Sequence, residues 1–352
     1  MATDTAAGPY GDVPATHREI HLVERPTGAL TEEHFTVVEA PVPSPGPGQL
    51  LVRNRYMTVV AVMRTLMSDA DLPMPAYEVN RPLWGPAIGE VIAAPDTAAG
   101  GGGGRVAPGT LVHHHDSWRE YAVVDADAAT PLDLTALPDP AAHLSQALTA
   151  WAAVVKAAEV RPGETAFVSG AAGGVGCMAG QILRLHGAGR VIGSTGSRRK
   201  ADYLVNELGY DAVVIRGAGS IEEQLREAAP EGIDVVFDTV GGEQLRAALA
   251  VANRRARFAV VGALSGQLDG EGKQALVEID TLQLLARSIE LRGITLLDHL
   301  DSVPAWTREI GQAMADGKLT FPHVRYAGLE QAPRALLELI EGRHIGTVVV
   351  EL

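Results

Sequence analysis

Glycines stand at positions 170, 173 and 176, at G-x-x-G-x-x-G spacing within VSGAAGGVGCMAGQILRL. An apolar β-branched run precedes them and an apolar-striped helical pattern follows. That spacing serves three needs: a tight turn, close approach of backbone to a diphosphate, and close contact of helix with strand. The start of the following helix aims free N–H groups and a partial positive charge at the phosphates. Taken alone, a glycine-rich turn fits any α/β protein. Its place between strand and helix, in a series of such pairs, points to a dinucleotide site.

The next strand, RVIGST, selects the dinucleotide. It runs into Gly196-Ser197-Arg198-Arg199-Lys200 with no acid present. An NAD site carries Asp or Glu about 20 residues after the turn to hold the ribose 2′-hydroxyl. A hydroxyl and several cations instead suit a 2′-phosphate. Three cations at a helix start oppose the helix dipole, so they call for an anion. The expected cofactor is NADPH.

Two other groups could do chemistry. His113-His114-His115-Asp116 lies in a strand-like stretch, where alternate residues share a face, so only His113 and His115 face one way. They read as a metal site lacking a third ligand, a substrate-facing acid, or hydrogen-bonded strand histidines. Cys177 follows the glycine turn, where a helix start favours a thiolate, although helix packing explains a small residue there equally well. Trp84, Trp118 and Trp151 read as core or subunit-contact residues.

The elements that must position these groups follow from length and texture. At about 150 residues per domain, 352 residues make two domains. The apolar fraction of 46% is ample for two cores, and the 39 glycines are an enrichment. The charge balance is 29 − 43 = −14, with only four lysines among the basic residues. So acidic a chain repels nucleic acid and anionic membrane surfaces. One cysteine excludes an intramolecular disulfide and a multi-thiolate zinc site. No run approaches the ~20 apolar residues of a membrane span, and MATDTAAGPYGDVPATHRE lacks a signal-peptide layout. A soluble, cytoplasmic protein without a metal is expected.

Residues 1–17 read as a flexible tail. From Arg18 to about Asp125 the texture is β-like: LLVRNRYMTVVAV, WGPAIGEVIAA and GTLVHHHDSWREYAVV read as strands, with Gly100 to Gly104 as a hairpin tip. From about His143, short apolar strands alternate with helices, the signature of a parallel sheet covered on both faces. The last thirty residues read as strand, helix, strand.

Several blocks in the same order make nearly the whole chain, from Arg18 to Leu352, similar to one family. They include PVPSPGPGQLLVRNRYMTV, the MRTLM run, GPAIGEVIA, WREYAVVD, VIGSTGSRRKADYL, GIDVVFDTVGGE, VVGALS and GLEQAPRALLELIEGRHIGTVVV. The chain resembles zinc-independent medium-chain reductases of the prostaglandin reductase, leukotriene B4 dehydrogenase and curcumin reductase type. The resemblance implies a GroES-like β-rich substrate domain over 18–143 plus 321–352, and a Rossmann doubly wound parallel-sheet domain over 144–320. It also implies NADPH-dependent reduction of a carbon–carbon double bond conjugated to a carbonyl, on a small molecule, by a homodimer. Gly173, Gly174, Val175 and Gly176 match the diphosphate turn, and Ser197 and Lys200 match the 2′-phosphate pair. Arg216 replaces a family tyrosine over the adenosine end, where it would stack on adenine or join the phosphate contacts. Thr239 and His344 stand at usual asparagine positions of the cofactor site. Val261, Gly262, Ala263, Leu264 and Ser265 would pass along the nicotinamide.

The departures fall where chemistry is expected. Relatives place a tyrosine against the enol oxygen where this chain has Gln267, and Asp-Pro-Tyr where it has Val60-Ala61-Val62. Val62, His113 and Gln267 are therefore the substrate-facing candidates, and Gln267 and His113 the candidate catalytic groups. An amide replaces a phenol as hydrogen-bond donor but not as an acid. Two alternatives stay open: quinone reduction, since the same cleft could pass hydride to a quinone carbonyl, and, on the evidence of the missing phenols, a non-redox isomerase or cyclase on the same frame.

Overall fold

The structure, a computed structural model, describes residues 13–68, 74–94, 106–268 and 275–352. The chain forms two compact units. One takes the described residues up to Leu144 with Arg325–Glu341 and Val348–Leu352; the other takes Ser145–Val324 with Gly342–Thr347. The first elements are β1 (Thr16–Leu22), β2 (Phe35–Pro41), β3 (Gln49–Val59), α1 (Val62–Leu66), β4 (Ala87–Ala93), β5 (Leu111–His114), β6 (Tyr121–Asp125) and β7 (Thr130–Pro131). There follow α2 (Ala147–Trp151), β8 (Thr165–Val168), α3 (Gly174–Leu185), β9 (Arg190–Thr195), α4 (Arg198–Leu208), β10 (Ala212–Ile215) and α5 (Ile221–Ala228). Next come β11 (Ile233–Asp238), α6 (Gly242–Val251), β12 (Ala252–Val260), α7 (Leu264–Leu268), α8 (Thr281–Arg287), β13 (Glu290–Gly293) and α9 (Val303–Ala315). The chain closes with β14 (His323–Ala327), α10 (Ala332–Ile340) and β15 (Thr347–Glu351).

In the first unit β3 is the hub. It pairs antiparallel with β4, β6 and β15 in a sheet ordered β14-β15-β3-β4-β5-β7, with β6 also on β3. Leu50, Val52, Val91, Val112, Ala122 and Val124 form its core, the branched and small apolar residues that fit a pleated surface.

GTLVHHHDSWREYAVV, read above as one strand, is two. β5 pairs with β4 and β6 with β3, and the chain turns between them at Trp118, whose φ is +59°. That costly conformation for an aromatic residue is held by packing. Trp118 is fully buried and stacks on Phe35 with ring centroids 5.7 Å apart. Asn54 Nδ2 fastens the turn, donating to Asp116 O (3.0 Å) and Arg119 O (2.8 Å).

The tail assignment is also corrected. β1 begins at Thr16, and Val13 is buried against Leu51 and Tyr121. Residues 1–12 and the Gly100–Gly104 hairpin tip lie outside the described residues. The block 321–352 does not go to one unit. Gly346 N–H donates to Ala172 O and Thr347 N–H to Pro322 O, both at 2.9 Å, which ties Gly342–Thr347 to the second unit.

That second unit is a six-stranded sheet ordered β10-β9-β8-β11-β12-β13, its pairs all parallel. Counted from β8, the order is 3-2-1-4-5-6, the doubly wound arrangement that binds dinucleotides at the carboxyl ends of its strands where the order reverses. The reversal lies between β8 and β11. Phe167, Ile192, Val214, Val236 and Phe258 from the sheet pack with Leu225, Leu245 and Leu249 from the helices. Among the described residues no helix is long and apolar enough to cross a membrane.

Candidate functional site

At the reversal point, β8 gives way to Ser169, Gly170, Ala171, Ala172 and Gly173, and Gly173 caps α3 in an extended conformation. Each glycine here answers a different demand. Gly170 has φ +59°, where a side chain is strained. A Cβ on Gly176 would stand 2.5 Å from Gly170 O and 2.6 Å from Ala171 Cα, and one on Gly174 would strike the Gln146 amide. Gly173 alone has room, its nearest neighbour being Gly170 O at 3.4 Å. Gly174, Val175 and Gly176 form the first turn of α3, whose N–H groups have no intrahelical partner, an arrangement suited to an anion. Tyr210 holds this turn from behind. Buried, it donates from its hydroxyl to Gly176 O at 2.8 Å and packs where Gly180 and Gly193 leave space.

The cations predicted from the second strand meet at the adjacent strand end. Ser197 caps α4, accepting from Lys200 N–H at 3.4 Å. Arg216 N–H donates to Thr195 O (2.9 Å), which lays its guanidinium over Gly196: a Cβ there would be 3.1 Å from Nη2. Lys200 Nζ donates to Gly342 O, and Arg199 donates to Arg343 O at 3.2 Å. Among the described residues, Arg198, Arg199, Lys200 and Arg216 have no carboxylate partner. Burial and the charges of Arg199 and Arg216 pull the Lys200 ammonium below its ordinary value. Such mutual repulsion is relieved by an anion. The cradle free of Cβ atoms and the unneutralised cations together fit the diphosphate and 2′-phosphate of NADPH.

The remaining candidates of this unit sit at the ends of β11 and β12. Thr239 Oγ1 donates to Ser169 O at 3.0 Å. Val261 N–H donates to Asp238 O (2.7 Å), Leu264 N–H to Thr239 O (3.0 Å) and Ser265 N–H to Val240 O (2.9 Å). Gly262 lies so close to Thr239 that a Cβ would stand 3.0 Å from its carbonyl oxygen. Val261–Ser265 and Thr239 thus form one surface. Gln267 follows on α7, its N–H bonded to Ala263 O. The segment carrying His344 runs beside the diphosphate turn, through the bridge of Gly346 with Gly173.

Sequence reasoning missed what joins these strand ends. Asp238 is fully buried, and burial raises its carboxyl above the usual range, while three donors oppose that rise. Ser169 Oγ donates to Oδ1 at 2.5 Å and Gly241 N–H to Oδ2 at 2.9 Å, while Thr239 N–H donates to Ser169 Oγ at 2.9 Å. The only trace in the sequence is an acid ending the apolar strand IDVVFD. Cys177 is settled as a packing residue. Burial pushes its thiol up to about 12 despite the helix start.

Val62 and His113 belong to the first unit. Val62 opens α1, and His113 pairs with Ile88 of β4 and Thr130 of β7. The rings of His113 and His115 lie 5.1 Å apart on one face. Burial, then the neighbouring His115 and His143, push His113 down to about 3. It is neutral at physiological pH and not the acid entertained above, though it can donate one N–H. Among the described residues no group of three His, Cys, Asp or Glu side chains is placed to hold a metal.

Comparison with known proteins fits this geometry. Residues 18–132 match the N-terminal domain of oxidoreductases, and 174–311 match the zinc-binding dehydrogenase domain. A putative NADP-dependent oxidoreductase of Bacillus subtilis is 31% identical over 96% of this chain and 98% of its own. The NADPH-dependent curcumin reductase of Escherichia coli is 30% identical over 94% and 95%. CurA from Vibrio vulnificus, solved in complex with NADPH, superposes with a TM-score of 0.85 at 28% identity, covering 95% of this chain and 98% of that one.

Proposed function

Because the chain belongs to the zinc-independent medium-chain dehydrogenase/reductase family and is an NADP-dependent oxidoreductase, we propose that it reduces carbon–carbon double bonds conjugated to a carbonyl in small molecules. The observation that carries this reading is the end-to-end similarity to a curcumin reductase, joined to a strand end whose cations suit a 2′-phosphate. NADPH, when bound, supplies the hydride. The first turn of α3 holds the diphosphate, and Ser197, Lys200 and Arg216 hold the 2′-phosphate. Val261–Ser265 and Thr239 line the nicotinamide end, with His344 beside the diphosphate turn.

Reduction of an enone builds an oxyanion on the substrate, and hydrogen-bond donors lower its energy. Gln267 is the donor offered by α7. Its amide gives an N–H without a transferable proton, so solvent supplies the proton at the α carbon. Within the first unit, His113, held neutral, keeps one N–H to donate, and Val62 is apolar where the resemblance implies a phenol. We propose further that the enzyme is a homodimer.

The decisive assay mixes the protein with NADPH and a panel of α,β-unsaturated ketones, aldehydes and thioesters, and follows the absorbance of the reduced nicotinamide. Decay with an enone supports the proposal. Tight NADPH binding without decay, alongside isomerised or cyclised product, sinks it in favour of the non-redox reading that the lost phenols motivate. Gln267→Tyr should raise turnover of an enone by about tenfold, less than the roughly 10²–10³ that a whole oxyanion donor is worth, because a phenol replaces an amide that already donates.

A further inference from the structure

Gln146 stands at the N-cap position of α2, yet its side chain makes no capping bond there. Glutamine is not among the residues whose short side chains close a helix start, so the amide is left to act elsewhere. It lies against the first residue of α3. A Cβ on Gly174 would strike Gln146 Oε1, and the Thr347 hydroxyl oxygen would stand 3.0 Å from the same point. The amide therefore occupies the space that a side chain at residue 174 would take, beside the glycine turn.

Thr347 fixes it in that place. Its Oγ1 donates to Gln146 Oε1 at 3.3 Å, and its own N–H donates to Pro322 O at 2.9 Å. The preceding Gly346 bridges to Gly173 and donates to Ala172 O, so the residue that holds the amide is itself anchored on the diphosphate turn. With the carbonyl end engaged, the nitrogen is the end left over. Among the described residues Nε2 meets no acceptor, and it is open to solvent. A packing spacer between α2 and α3 would need only the volume of this side chain. A donor held beside helix N–H groups that already suit an anion has a further use.

We propose that Gln146 is a cofactor-binding residue, its amide held by Thr347 so that Nε2 donates to the diphosphate of NADPH beside the first turn of α3. The proposal rests on the placement of NADPH described above and adds a side-chain donor to a cradle otherwise made of backbone. Gly174 has no side chain because this amide takes its place.

Calorimetry of the full chain with two ligands tests it: NADPH, and adenosine 2′-monophosphate, which carries the 2′-phosphate but no diphosphate. Gln146→Met keeps the volume and removes the donor. It should raise the NADPH dissociation constant about tenfold, the loss of one hydrogen bond to a charged group, and leave that of the monophosphate within about twofold. Gln146→Glu keeps the bond from Thr347 but sets a carboxylate against the diphosphate. The NADPH constant should then rise about a hundredfold, the scale of a like-charge contact, with the monophosphate again little moved. Because both ligands are measured on the same variant, a general loss of folded protein cannot imitate the contrast. Unchanged NADPH binding in both variants would overturn the proposal, and so would equal losses for the two ligands, which mean a site slackened as a whole. Wild type that fails to bind NADPH would overturn the placement of the cofactor and the proposal with it.

Discussion

At Lys200 two effects oppose one another. Burial and the cations of Arg199 and Arg216 favour the neutral amine, while a bound phosphate favours the ammonium. A charge-assisted contact of this kind is worth about 1.5–3 kcal/mol. Lys200→Glu should therefore raise the NADPH dissociation constant at least about tenfold, with NADH binding little changed, as read by calorimetry. An unaltered NADPH constant would remove Lys200 from the pocket. The basic run after RVIGST was legible because three cations at a helix start have no other explanation in so acidic a chain. His113 and Cys177 were not settled from sequence. Their type and local position are plain, but burial sets their protonation, and burial is a property of the folded chain.

The join of β8 to α3 separates two glycine roles within one turn. Gly176 is required by the protein itself, because a methyl group there meets the backbone of Gly170 and Ala171. Gly176→Ala should cost about 1–3 kcal/mol from overpacking, seen as a lowered Tm. Gly173 has space for a methyl group and an ordinary φ of −77°, so Gly173→Ala should leave Tm nearly unchanged and weaken NADPH binding. Weakened binding with intact stability would mark close approach of the diphosphate; equal binding would deny it. Strand–helix alternation in this unit was readable because each element carries its own periodicity. The break between β5 and β6 was not, since it depends on Trp118 finding Phe35 and on Asn54 reaching two carbonyls from another strand.

Across the whole molecule, acid should find its weak point in the first unit. His113 and His114 are pushed to about 3 by burial, below the usual value near 6.5. Asp116 N–H donates to Nδ1 of His114 at 3.1 Å, which puts that ring's own proton on Nε2, so protonation must break this bond. Because the folded values lie below the unfolded ones, this stability is complete above about pH 6.5 and is lost as pH falls toward 3. The slope is up to about 1.4 kcal/mol per histidine per pH unit. Denaturant titrations from pH 7.5 to 4.5 should show the decline, and it should be shallower in a His113→Gln, His114→Gln variant. An unchanged slope would assign acid sensitivity to other groups.

Two domains, a parallel sheet, a dinucleotide turn and a preference for the phosphorylated cofactor were all present in residue order, because they arise from periodicity and from the adjacent charges of Arg198, Arg199 and Lys200. The Asp238–Ser169 tie spans 69 positions, Gly346 reaches Ala172 from the far end of the chain, and Leu282 and Leu285 are ordinary helix residues until the fold leaves them exposed. Such features depend on which distant segments meet and which surface stays uncovered. Local pattern carries no record of either, so folding had to reveal them.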